Sequence, residues 1–384
     1  MPGVRRLLVL TCAIVLVDTI FYGALVPLIP SLSAEFGLSK PEVGVLTGAF
    51  GAGVLAGSIP GGYLTFRIGV KPTVLLGLGI FSLTSLAFGF AEGPISLVAA
   101  RFGEGFGSAL SWVAAFTWVV NRASGERRGE MIGILLSAAV VGALLGPVLG
   151  SAAAAFGIPI TFSAMAALGA VIFLWAALED APDVDTRRPF LPMLRAVARP
   201  KFAGGLWLIS LSPLVFGALT VLVPLELDGL GWGAAAIGAV FLAGAAFEAV
   251  AQPLIGRWTD RAGWRVPVRA GLLGSVAALL VFPWADNPLL LAPLVVFGAV
   301  AFNVSVTPGT ALFSRGAEGV GVDQAVVFGA TNLTWASGSA LGPVLAGLLA
   351  DLGGDALSYL SLAAVCSATL AAIVLRRPAI GKKP

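Results

Sequence analysis

The sequence contains no histidine at all. That excludes His-based catalytic triads, HExxH zinc sites and histidine proton relays. Cysteine is nearly as scarce. Cys12 and Cys366 lie inside apolar runs near opposite ends, which gives neither a disulfide framework nor a metal site. Charge is the third shortage: only 11% of the 384 residues are charged, against 58% hydrophobic. A soluble domain carries about 25% charged residues. A chain this poor in charge cannot cover a water-facing surface, so lipid is expected to be its solvent over much of its length. No GxxxxGK[ST] phosphate loop is present, so no nucleotide cofactor is expected, and no metal or other cofactor either.

What is present is a series of apolar runs long enough to cross a bilayer, which takes about 20 residues each. Expected spans are 7–29, 43–65, 72–91, 95–120, 131–153 and 158–178, then 202–225, 234–256, 266–285, 289–313, 324–349 and 356–375. The first run begins like a signal peptide. It continues to Ile29, however, is interrupted by Asp18, and has an equivalent in the second half, so it reads as a span. The expected fold is all-α and integral to the membrane, twelve helices in two six-helix bundles. Residues 1–178 form the first bundle, 179–201 a cytoplasmic linker and 202–384 the second.

Positive charge orients the chain. With the N-terminus inside, every Lys and Arg except Lys40 and Arg101 falls in a cytoplasmic segment. Both termini are therefore expected in the cytoplasm, with the protein in the cell membrane. The basic residues are scattered over many loops, which argues against nucleic-acid binding.

The two halves repeat. At a constant offset of 194 residues, Gly23 matches Gly217, Pro30 matches Pro224, Gly37 matches Gly231, Gly62 matches Gly256 and Gly69 matches Gly263. GALLGPVLG from Gly142 matches GSALGPVLAG from Gly338, which aligns Gly146 and Pro147 with Gly342 and Pro343. Duplicated halves around a midplane site are a transporter plan.

Ionisable residues inside spans are costly and mark functional sites by default. The spans hold Asp18, Arg101, Glu104 and Glu248. Arg101 and Glu104 are three apart, close enough to pair on one helical face. An unpaired carboxylate at that depth costs several kcal/mol as an ion, which favours loading a proton when the site is dry. Around these acids, Tyr22, Trp112, Gln252, Asn303 and Asn332 are candidates to line a substrate cavity. Phe21, Phe116 and Trp118 lie on the same two spans and serve equally well as packing residues.

The segment Gly256 to Arg265, GRWTDRAGWR, resembles the loop motif G-x-x-x-D-R-x-G-x-R of the major facilitator superfamily, with Gly256, Asp260, Arg261 and Gly263 in place. The first-half equivalent, GYLTFRIGVK, keeps Gly62, Arg67 and Gly69 but has Phe66 in place of the Asp. RFGEGFGSAL from Arg101 is similar to the family's R-x-x-x-G-x-G-x-A pattern, whose Arg is linked to proton coupling. GALLGPVLGS, with Gly142, Gly146 and Pro147, resembles the signature of its drug:proton antiporter branch. The Asp18-to-Pro27 spacing is similar to vesicular amine transporters and their bacterial multidrug relatives, although the acids those carry later in the chain are Asn303 and Asn332 here. The resemblance implies a monomeric, non-enzymatic antiporter that exchanges protons for lipophilic, cationic small molecules. A sugar or metabolite exporter, using Gln252, Asn303 and Asn332 as ligands, is the rival reading. A non-transporting membrane receptor is the rival of another class.

Overall fold

In the computed structural model, residues 2–122, 128–181, 202–318 and 324–375 are described, and among them there is no strand. The helices are α1, which runs Pro2–Ala24 and continues through a 3-10 turn at Val26–Leu28 into Ile29–Phe36; α2, Lys40–Arg67; α3, Val70–Gly89; α4, Pro94–Arg122; α5, Arg128–Phe156; and α6, Ile158–Leu178. The second half gives α7, Ala203–Gly229; α8, Ala234–Ala262; α9, Arg265–Val281; and α10 in two pieces, Pro288–Asn303 and Val306–Glu318. Helices α11 and α12 share Gln324–Leu375, split by non-helical backbone at Gly353 and Gly354. Among the described residues, ten segments meet the length and hydropathy of a membrane crossing. Dividing the one that runs through Gly353 and Gly354, and adding α4 with its intramembrane charges, gives the expected twelve.

Several span boundaries shift by a few residues. The first span reaches Phe36 instead of Ile29, because α1 bends through Pro27 and Pro30 without ending. The seventh runs to Gly229, which brings Glu226 into the helix.

The repeat read from sequence reappears in the backbone. Six glycines have positive φ, and they fall into three pairs: Gly37 and Gly231, Gly69 and Gly263, and Gly157 and Gly354. Gly69 (φ 98°) and Gly263 (φ 75°) turn the chain out of α2 and α8, a conformation that costs glycine nothing and other residues a steric clash. They mark one end of the bundle; the other pairs mark the opposite end.

The glycines Gly142, Gly146 and Gly150 of α5 lie against α1. Gly142 meets Thr19 and the Leu16 carbonyl, Gly146 meets Gly23 and the Ile20 carbonyl, and Gly150 meets the Ala24 carbonyl. The repeat is again visible, since Gly342 and Pro343 of α11 meet Leu214 and Gly217 of α7. Without a hydrophobic drive between helices in lipid, close backbone contact is what holds such pairs together. A Cβ at position 146 would sit 2.7 Å from the Gly23 Cα. Gly146→Val is therefore expected to cost about 1–3 kcal/mol of overpacking and to lower the melting temperature in detergent. Gly133→Val, on the same helix with nothing within 4 Å, is the control.

The halves meet at the end bearing Gly37 and Gly231. Gly44 and Gly48 of α2 abut Pro343 and Ala340 of α11. Ser151 of α5 donates to the Ala234 carbonyl of α8 at 3.1 Å. Lys40 Nζ pairs with Asp355 at 2.5 Å. This end is closed. Large apolar side chains such as Ile95, Leu83 and Leu174 stay exposed on the outer helix faces, where lipid covers them.

Candidate functional site

The first half gathers Asp18, Arg101 and Glu104 between α1 and α4. All three are buried, at 6%, 2% and 0% exposure. Arg101 reaches the last turn of α1's first segment, just before the bend: its Nη1 donates to the Phe21 carbonyl at 3.0 Å and its Nη2 to the Tyr22 carbonyl at 2.8 Å. Nη1 also donates to Glu104 Oε2 at 2.9 Å, and the guanidinium lies 4.9 Å from the centre of the Phe50 ring. One side chain thus ties α1, α2 and α4 together while neutralising Glu104.

Asp18 has no such cation in hand. Trp112 Nε1 donates to its Oδ2 at 2.7 Å, and Ser108, one turn before Trp112 on α4, lies within hydrogen-bonding reach of the carboxylate, although Oδ1 accepts no well-aligned bond among the described residues. Trp112 stacks on Phe116, with ring centres 5.2 Å apart. Tyr22 meets Trp335 of α11 at 5.3 Å, so the first half's site touches the second through an aromatic pair. Trp335 is not predicted from the sequence, because nothing local distinguishes it from a packing tryptophan. Phe21 and Trp118 are fully buried, which places them in the packing of the first half.

The second half answers with a network of uncharged side chains, to which Glu248 is joined through Gln252. Ser212 of α7 stands at the repeat position of Asp18 and donates to Asn303 Oδ1 of α10. Asn303 Nδ2 donates to the Ala299 carbonyl at 3.0 Å. Thr307 donates to Gln252 Oε1 at 2.6 Å, and Gln252 Nε2 donates to the Asn303 carbonyl at 3.3 Å. These bonds span the break in α10 and use both ends of each amide. Gln252 and Asn303, expected to line a substrate cavity, are half-buried and hydrogen-bonded to one another's elements. Asn332, half-buried on α11, has no hydrogen bond to this network among the described residues. Glu248 is half-buried one turn before Gln252 on α8, within electrostatic reach of Tyr22.

The charged residues of the two loop motifs pair within their own halves among the described residues. Asp260 sits 3.5 Å from Arg315 at the end of α10, with both side chains largely exposed. Such pairs contribute little in water, and this one stays within the second half. Arg261 is exposed at the same end. In the first half, Gly62 lies within α2 and Arg67 turns back onto Tyr63, its Nε 3.1 Å from the hydroxyl. Glu179, which sequence places in the linker, pairs with Arg6 at 2.6 Å and accepts from Trp175 at 3.0 Å. Its carbonyl accepts from Lys71 at 2.8 Å, and Arg122 donates to the Asp180 carbonyl. Glu179 and Asp180 thereby fasten α6 to α1, α3 and α4. The rest of the linker, 182–201, lies outside the described residues.

Comparison with known proteins agrees with this architecture. The profile described as Major Facilitator Superfamily matches residues 11–343. An uncharacterized MFS-type transporter, YcaD, from strains of Escherichia coli and Shigella flexneri is 27% identical over 369 residues, covering 94% of this chain and 91% of the relative. Among solved structures, a bacterial homolog of the human lysosomal transporter Spinster, inward-facing and unoccupied, superposes with a TM-score of 0.77 at 18% identity, covering 98% of this chain and 95% of that one. The nucleoside transporter NupG superposes with a TM-score of 0.74 at 13% identity, covering 97% and 98%. With the profile spanning both repeats, the chain belongs to the major facilitator superfamily and is a multi-pass membrane transporter.

Proposed function

We propose that the protein is a proton-coupled exporter of lipophilic, cationic small molecules, working by alternating access between two bundles divided at the 179–201 linker. The observation that supports this most is Asp18: a carboxylate buried in mid-span, held only by the neutral donors Trp112 and Ser108 and with no ion pair of its own among the described residues. A proton or a cation completes it, and the two compete for it. With Asp18, Glu104 and Glu248 against Arg101, the central region carries excess negative charge, which favours cations and repels anions. The stacked Trp112 and Phe116 offer a flat apolar surface beside the acid.

The glycine face of α5 supports the same reading. It grips α1 on both sides of Asp18, so a change at that carboxylate is transmitted directly to a helix pair. The rival, a carrier of neutral hydroxylated metabolites, is weakened by the closed amide network of Gln252 and Asn303. We place the termini and the Gly69 and Gly263 turns in the cytoplasm, from the distribution of positive charge. A substrate panel in proteoliposomes with an imposed pH gradient tests the reading. Lipophilic amines are expected to move uphill against the proton flow. Uphill movement of neutral or anionic metabolites alone would overturn it.

A further inference from the structure

The closed end carries a charged cluster that neither the coupling site nor the loop motifs use. Lys40, the first residue of α2, points across the boundary between the halves and pairs with Asp355 Oδ1 at 2.5 Å. A second carboxylate, Glu226 at the end of α7, lies within electrostatic reach of both Lys40 and Asp355. Tyr359 donates to Glu226 Oε1 at 3.0 Å. Tyr359 is fully buried and stacks on Phe282, ring centres 5.0 Å apart.

Local backbone explains why these groups face one way. Gly354, at φ 78°, ends the α11 segment and starts α12 immediately before Asp355. Asp355 and Tyr359 are then four residues apart on one helical face. The second half thus presents a prebuilt receptacle: Asp355 above, Glu226 beneath, and Tyr359 rooting Glu226 in the packed core. The first half brings a single cation. The fit is tight at the backbone too, since the Lys40 carbonyl abuts Gly347 of α11.

We propose that Lys40 is the bolt of this end of the transporter, and that Asp355 and Glu226 are its socket. When the halves part here, Lys40 leaves with α2, while both carboxylates stay with α7 and α12. The closed state gains attraction that the open state lacks, so the cluster biases the protein towards closure at this end. The proposal rests on the alternating-access reading, but not on which substrate or ion is carried.

Distance measurements between spin labels at Glu35 and Leu352, both exposed at this end, test it in protein lacking Cys12 and Cys366. Lys40→Gln is expected to raise the open-to-closed ratio by about threefold, the scale of a partly exposed pair. Asp355→Asn should do the same, and Glu226→Gln should shift it less. The charge swap, Lys40→Asp with Asp355→Lys, should restore the closed population. High salt should widen the distribution in the wild type and not in Lys40→Gln. Unchanged distances in Lys40→Gln, or a charge swap that stays as open as the single variants, would overturn the proposal. These readouts involve no transport, so failure here leaves the coupling role of Asp18 standing, and failure of uphill transport leaves the bolt standing.

Discussion

Asp18→Asn is expected to abolish uphill export driven by a pH gradient, while the protein still folds and still exchanges substrate across the membrane. The reason lies in the two oxygens. Trp112 donates to Oδ2, and an Asn oxygen in that place accepts the same bond. Packing on α1 is therefore preserved, including the contacts of Gly142 and Gly146 with that helix. What is lost is the ability to exchange a proton for a cation. Asn behaves as a permanently protonated Asp, so the bundles continue to rock and equilibrative exchange continues. Affinity for a cationic substrate should fall about tenfold, the scale of one charge-assisted contact. The decisive comparison is uphill transport against counterflow in the same proteoliposomes, with binding measured across acidic to alkaline pH. Full gradient-driven transport with wild-type pH dependence in Asp18→Asn would make Asp18 a packing residue and move the coupling site elsewhere.

Arg101→Met should be the more damaging change to the protein itself. It leaves Glu104, with no exposed surface, without its cation, and it strips the Phe21 and Tyr22 carbonyls of their donors at the bend of α1. Breaking one partner of a buried pair costs about 3–5 kcal/mol. The expected result is a large fall in melting temperature and in the yield of folded protein. The double variant Arg101→Met with Glu104→Gln removes the stranded charge and should recover much of that stability. It should not recover transport, because the α1 bend still lacks its clamp and Asp18 loses the cation nearest to it. If the double variant transports at the wild-type rate, the pair is structural only. If Arg101→Met alone is as stable as the wild type, the buried ion pair contributes nothing to the fold.

The two halves are alike in plan and unlike in charge, and this bears on how the cycle runs. The α1–α4 contact is Asp18 with Trp112, and the matching α7–α10 contact is Ser212 with Asn303. One is titratable and the other is not. In the proposed mechanism the first half therefore senses the proton, while the second half's network holds the break in α10 in a fixed geometry. Glu248 adds an acid facing Tyr22 from α8, which lies next to the meeting point of Tyr22 and Trp335.

The sequence by itself determined the membrane setting, the number of spans, the duplication and which residues share a helical face. Each follows from local regularity: span length from hydropathy, faces from the 3.6-residue period, the repeat from glycines at a fixed offset. The pairing of Arg101 with Glu104 was legible for the same reason, since three residues make neighbours on any helix. Tertiary structure alone decided who faces whom across helices. Glu226 lies where hydropathy falls at the end of a span, so it reads as a loop acid until Tyr359, 133 residues later, buries it. Glu179 reads as linker until Arg6 and Trp175 fasten it to the bundle. Gln252 and Asn303 read as open ligands until packing pairs them with Thr307 and Ser212. Trp175 apart, four residues from Glu179, these deciding contacts join residues far apart in the chain, and no local period or composition carries that information.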